Sequence, residues 1–99
     1  MERTYRSNFE KVYNAAKRAL KELDINIEYQ DREKGIIEAS TGTSLFSWGE
    51  DIQIRISQRN GDVHVKVKST SQAQFIDWGR NEKNEENILK EITTILRQK

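Results

Sequence analysis

The sequence predicts an α+β fold: a two-layer sandwich in which a four-stranded antiparallel meander sheet carries N- and C-terminal helices on one face, in the order αββββα. Three observations predict it. Apolar residues recur at helical spacing near both ends of the chain. Between those stretches apolar and polar residues alternate, the period of half-buried strands. Asn60-Gly61 lies between two alternating runs, the signal of a two-residue hairpin turn.

The first helix is expected from Asn8 to Leu23. Ser7 followed by Glu10 reads as a capping box, the hydroxyl taking an orphan amide and the carboxylate reaching back to the cap. Phe9, Val12, Tyr13, Ala16, Ala19, Leu20 and Leu23 form its apolar stripe, and Lys11, Lys17, Arg18, Lys21 and Glu22 its outer face. Ile25, Ile27 and Tyr29 then alternate with polar residues, which predicts a first strand with Tyr29 towards the core. Asp31 to Gly35 read as a turn. The second strand, Ile36 to Thr41, places Ile37, Ala39 and Thr41 on one face and Glu38 and Ser40 on the other, with Ile36 as a frayed start.

A type I′ turn at Asn60-Gly61 sets the register of the third and fourth strands. It places Ile56 opposite Val65 and Ile54 opposite Val67 on the core side, with Arg55 opposite Lys66, Ser57 opposite His64 and Gln53 opposite Lys68 on the other. The last helix is expected to start at an Asn84 cap, with Glu85 and Glu86 in its first turn. Its stripe is Ile88, Leu89, Ile92, Ile95 and Leu96. Two helices with one apolar stripe each, and a sheet with one apolar face, bury best as two layers.

Composition bounds what such a chain does. Ninety-nine residues suit a single domain. Apolar content of 34% implies a thin core, since glycine does not raise it to the roughly 45–50% of typical domains. Without cysteine there is no disulfide framework, thiolate metal site or cysteine nucleophile. Seventeen basic against sixteen acidic residues give no bulk case for nucleic acid or acidic membranes. No apolar run approaches the ~20 residues of a membrane span, and the N-terminus lacks a signal-peptide core, so a cytoplasmic location is expected.

Topology gathers the unusual residues at one pole. The second strand ends where the third begins and the fourth ends. Residues 42–51 therefore lie beside residues 69–81, and an extended register sets Trp48 opposite Ala73 and Phe46 opposite Phe75. Trp48, Glu50, Asp51, Asp77, Trp78, Arg80 and Asn81 become candidate ligand or partner-binding residues, beside a helix start that favours anions. The alternative is structural: Phe46, Trp48 and Phe75 close a thin core as a lid, and Asp77 and Asn81 serve as caps.

The stretch Trp48 to Ile56 with its Glu50-Asp51 pair, then Lys66-Val67-Lys68-Ser69-Thr70-Ser71, then Asp77-Trp78-Gly79-Arg80-Asn81 before an amphipathic helix, resembles a family of small bacterial domains of unknown function. Its pattern is an acidic pair, Ser-x-Ser and Asp-x-Gly-x-Asn. The chain departs from it at Lys68, where Arg is expected, and by the insert Gln72-Ala73-Gln74-Phe75. The resemblance implies this fold and draws attention to the same pole; it implies no activity.

Chemistry has few candidates. His64 is the one histidine, and Ser57 opposite it could form a nucleophile–base pair; the plainer reading is a solvated strand residue. A metal would have to use the carboxylates of Glu50, Asp51 and Asp77 alone, in a spacing that matches no established loop, so neither metal nor cofactor is expected. The open sheet face carries a basic patch of Arg55, Lys66 and Lys68, with Glu28 and Glu38 on the first two strands. It is expected to lack the aromatic platforms of an RNA-binding sheet. Arg55 opposite Lys66 hints at an anionic group or a partner acid there. The favoured function is a non-enzymatic binding or protein-interaction domain, with a protein partner or a second copy as occupant. The alternatives are a small enzyme or anion sensor using Asp77 to Asn81, and weak nucleic-acid binding on the open face.

Overall fold

The computed structural model describes residues 1–41, 49–71 and 80–98. Among these the chain forms β1 (Glu2–Tyr5), α1 (Phe9–Glu22), β2 (Asn26–Asp31), β3 (Ile36–Ser40), β4 (Glu50–Arg59), β5 (Asp62–Ser71) and α2 (Arg80–Arg97). The strands make one antiparallel sheet in the order β1-β5-β4-β3-β2. Its core is one cluster: Val12, Ala16, Ala19 and Leu20 of α1 and Ile88, Leu89 and Ile92 of α2 meet Ile37, Ile52, Ile54, Ile56, Val63, Val65 and Val67 of the sheet. Both helices therefore cover one face, and among the described residues no element covers the other, the bare face.

The β4–β5 hairpin follows the predicted register over all ten pairs, from Glu50 opposite Ser71 to Arg59 opposite Asp62. Asn60 and Gly61 take φ of 52° and 85°, as a type I′ turn requires. The helical stripes are likewise where their spacing put them.

The structure corrects the expected four-stranded meander in five places. A fifth strand, β1, precedes α1 and pairs with β5, Glu2 opposite Lys66 and Thr4 opposite His64. Its residues are mostly exposed and show no apolar alternation, so it left no pattern to read. The cap of α1 is Asn8, not Ser7: its Oδ1 accepts the Lys11 amide at 2.8 Å. Ile36 is no frayed end; it pairs with both Asp31 and Arg55. The register slips between Ile27 and Tyr29. An extra residue in one strand reverses the alternation beyond it, so Tyr29 turns to the open face, 51% exposed. Gln30 then accepts a hydrogen bond from the Tyr13 hydroxyl at 3.3 Å. Finally, α2 starts at Arg80, a turn before Asn84. Glu85, freed from any first-turn role, takes the Ser69 amide at 2.8 Å where β5 runs past β1.

β1 is held from both sides. On the helix side the Tyr5 hydroxyl reaches the Leu89 carbonyl (3.2 Å) and Thr93 Oγ1 (2.9 Å), and Arg3 donates to Thr93 (3.0 Å). On the open side His64 meets Glu2 Oε1 through Nε2 (3.0 Å) and Thr4 Oγ1 through Nδ1 (3.2 Å). His64 is thus a clasp for the edge strand rather than the solvated residue expected.

Two glycines with positive φ make a controlled comparison. Gly35 (φ +67°) closes the β2–β3 turn, where a Cβ would lie 2.0 Å from the Ile56 carbonyl oxygen; a Cβ on Gly61 (φ +85°) meets nothing within 4 Å. Gly61→Ala should therefore cost only the left-handed backbone term, about 1–2 kcal/mol. Gly35→Ala adds a backbone clash and should cost about 3 kcal/mol or more. Urea denaturation of both variants checks this, and equal losses would contradict it.

A second expectation concerns pH. The hydrogen bond from His64 holds the Glu2 carboxyl below the usual carboxylate value. A carboxyl depressed in the folded chain contributes stability above its unfolded-state value and loses it as pH falls through the folded one. Glu2→Gln should lower the melting temperature at neutral pH, and the deficit should close in acid below about pH 4. A deficit independent of pH, read by thermal melts across that range, would show that the charge contributes nothing.

Candidate functional site

The bare face is built row by row from the strand register. One row runs Lys68, Gln53, Glu38, Tyr29 across β5, β4, β3 and β2. The row towards the start of β4 runs Thr70, Asp51, Ser40, Asn26, and the row on the other side runs Glu2, Lys66, Arg55, Ile36, Asp31. Arg55, Lys66 and Lys68 are exposed on this face, as expected. Between the first two rows lies a depression of about 410 Å³, lined by Glu28, Glu38, Ala39, Asp51, Ile52, Gln53, Lys68 and Thr70. The extra residue in β2 places Glu28 at its rim, where the carboxylate accepts the Ser40 hydroxyl at 2.6 Å.

The acidic pair splits between the two faces, because neighbours on a strand point opposite ways. Asp51 lines the depression. Glu50 turns to the helix side and is 4% exposed. Its Oε2 accepts the Thr41 hydroxyl at 2.6 Å, and its own amide donates to Thr41 Oγ1 at 2.7 Å. Glu50 therefore ties the end of β3 to the start of β4. Phe46, Trp48, Phe75, Asp77 and Trp78 lie outside the described residues, as do the side chains of Arg80 and Asn81. The depression opens at the end of the sheet where β4 starts and β5 ends, since Asp51 and Thr70 sit there.

The electrostatics are mixed rather than basic. Lys66 lies between Arg55 on one side and Glu2 on the other. The acid that the Arg55–Lys66 juxtaposition called for is supplied by β1 of the same chain. The three carboxylates at the depression do not converge: among the described residues, no group of three His, Asp or Glu could hold a metal ion. Nor is there a nucleophile–base pair at Ser57 and His64, whose ring nitrogens engage Glu2 and Thr4. Elsewhere Glu22 of α1 and Glu91 of α2 share a hydrogen bond, which lowers the Glu22 carboxyl and raises that of Glu91.

A second hollow, of about 510 Å³, lies between α1 and the edge strand β2. It is lined by Asn14, Lys17, Arg18, Lys21 and Asp24 from the helix and its end, and by Ile25, Asn26 and Ile27 from the strand. Spacing places Lys17 and Lys21 on the outer face of the helix. Their position over a sheet edge follows from β2 being the last strand of the sheet, as in the expected meander.

Among the described residues no helix is long and apolar enough to cross a membrane. The fold is similar to the crystal structure of Ara h 8.0201, with a TM-score of 0.52 and 12% identity, over 99% of this chain and 96% of that one. At that identity the likeness concerns the fold alone. Comparison with curated proteins finds no match. The model of a protein family of unknown function, DUF1499, matches residues 2–92, and the chain belongs to that family.

Proposed function

We infer that the chain is a non-enzymatic binding module whose contact surface is the bare sheet face at its β4-start end. One observation carries this reading: the face of the sheet opposite the helices holds a depression in which Glu38 and Lys68 flank Gln53 and Asp51 stands opposite Thr70. Groups of both signs around one hollow suit a polar ligand or partner segment that carries both charges. The surface is proposed to continue into Trp48, Asp77, Trp78, Arg80 and Asn81, which follow or precede these strands in the chain.

Two other uses of the face are less well supported. Tyr29 supplies a stacking ring, which favours single-stranded nucleic acid. Glu38 stands beside it and Asp51 beyond, so a phosphate backbone laid across the face meets carboxylates as often as amines. A second copy stacked on a two-fold axis along β4 would set Arg55 against Arg55.

A thermal-shift screen of small polar molecules, followed by amide chemical-shift mapping, tests the reading. Ligands should perturb residues 38, 51–53 and 68–70. Glu38→Ala and Lys68→Ala, both at exposed positions, should each weaken binding about tenfold, or 1.4 kcal/mol, without lowering the melting temperature. Perturbations confined to the helical side, or affinities unchanged in both variants, would overturn it.

A further inference from the structure

We propose that the groove between α1 and β2 binds an extended acidic peptide, which adds to the sheet as a sixth strand beside β2. This is independent of the bare face and would stand if that reading failed.

Among the described residues β2 is the outermost strand of the sheet, bonded to β3 on one side only. Half the backbone groups of such an edge point outward, and an added strand satisfies them. The hollow lies along this edge, walled by α1. Ile25 and Ile27 lie on its strand side, half-buried against the core, and leave apolar surface where alternate side chains of an added strand would rest. The opposite wall carries Lys17, Arg18 and Lys21 against one acid, Asp24. An added strand would lie about 4.8 Å from β2, under those cations. The chemistry calls for a backbone in strand conformation, apolar at alternate positions and acidic between them.

The other edge offers no such place. β1 is four residues long, its Glu2 and Thr4 are engaged by His64, and α2 contributes Glu85 where β5 runs beyond it. The extra residue at Glu28 also breaks the regular pairing of β2. It confines the added strand to the stretch about Ile25 to Ile27, where the lysines are, and protects the remainder of the edge from indiscriminate pairing. Of the three cations, Arg18 is shared with Glu22 at 3.1 Å and Lys17 lies over the Tyr13 ring at 5.9 Å. Lys21 is exposed.

The test uses a fluorescent peptide of alternating valine and glutamate, with two controls: the same peptide with lysine for glutamate, and the same peptide N-methylated at alternate backbone amides. The acidic peptide should bind, and the lysine and N-methylated peptides should bind at least about tenfold more weakly. Amide exchange should slow at Ile27 on binding. The double variant Lys17→Gln/Lys21→Gln should lose about tenfold in affinity, whereas Arg59→Gln, at the far hairpin, should lose none. Equal binding of the N-methylated peptide would reduce the effect to charge attraction and overturn the proposal. So would protection on β4 and β5, which would transfer the peptide to the bare face, or no binding at all.

Discussion

The pairing of β4 with β5 is the constraint on which the rest depends. Asn60 and Gly61 both adopt positive φ, and a two-residue turn of that kind admits one register. That register sends Ile52, Ile54 and Ile56 of β4 inward with Val63, Val65 and Val67 of β5. A slip of one residue would turn one strand's three to solvent and bring either Arg55 or the Lys66 and Lys68 pair under the helices. In a chain with so little apolar surface, no other set of side chains could replace them. The same choice decides which residues line the bare face, so the core and the candidate site are two consequences of one turn.

From the hairpin outward the specification weakens. β3 is still held by its apolar partners, Ile37 against Ile54 and Ala39 against Ile52. The edges are held by other means. β1 depends on side chains reaching across it, Tyr5 to α2 and His64 to Glu2 and Thr4. β2 depends on the end of α1, where the Ile25 amide returns to the Leu20 carbonyl at 2.8 Å and the Asp24 amide to that of Lys21 at 3.1 Å. With Asp24 at φ 61°, this is a Schellman-type ending that aims the chain straight into the strand.

This gradient explains what was legible. Elements that bury an apolar face announce it as a period, so both helical stripes and the hairpin could be read from residues alone. β1 buries almost nothing along its length and is held by polar contacts with residues more than fifty positions away, which leave no local pattern. The slip at Glu28 has no glycine or proline to mark it, and it reversed the reading of Tyr29. The start of α2 was misplaced because Asn84-Glu85-Glu86 has cap chemistry. Glu85 serves instead at a sheet edge that the sequence does not disclose. For the site, the exposure of Arg55, Lys66 and Lys68 followed from parity. The hollow beside them did not, because it depends on Glu28.

An uncovered sheet face is not in itself a sign of function, since an antiparallel sheet needs only one buried side. What separates a binding face from a solvated one is a cost that the fold does not offset. Arg55 beside Lys66 looked like such a cost, and β1 removes it by placing Glu2 on the far side of Lys66. Tyr29 is a better instance. The apolar part of a large ring is left in water by an irregularity in β2 that pairing with β3 does not require, in a chain that can spare little apolar surface. The same irregularity brings Glu28 to the rim of the depression and limits what the β2 edge can pair with. One extra residue thus shapes both surfaces proposed for binding, and among the described residues β2 is where departures from the simplest fold concentrate.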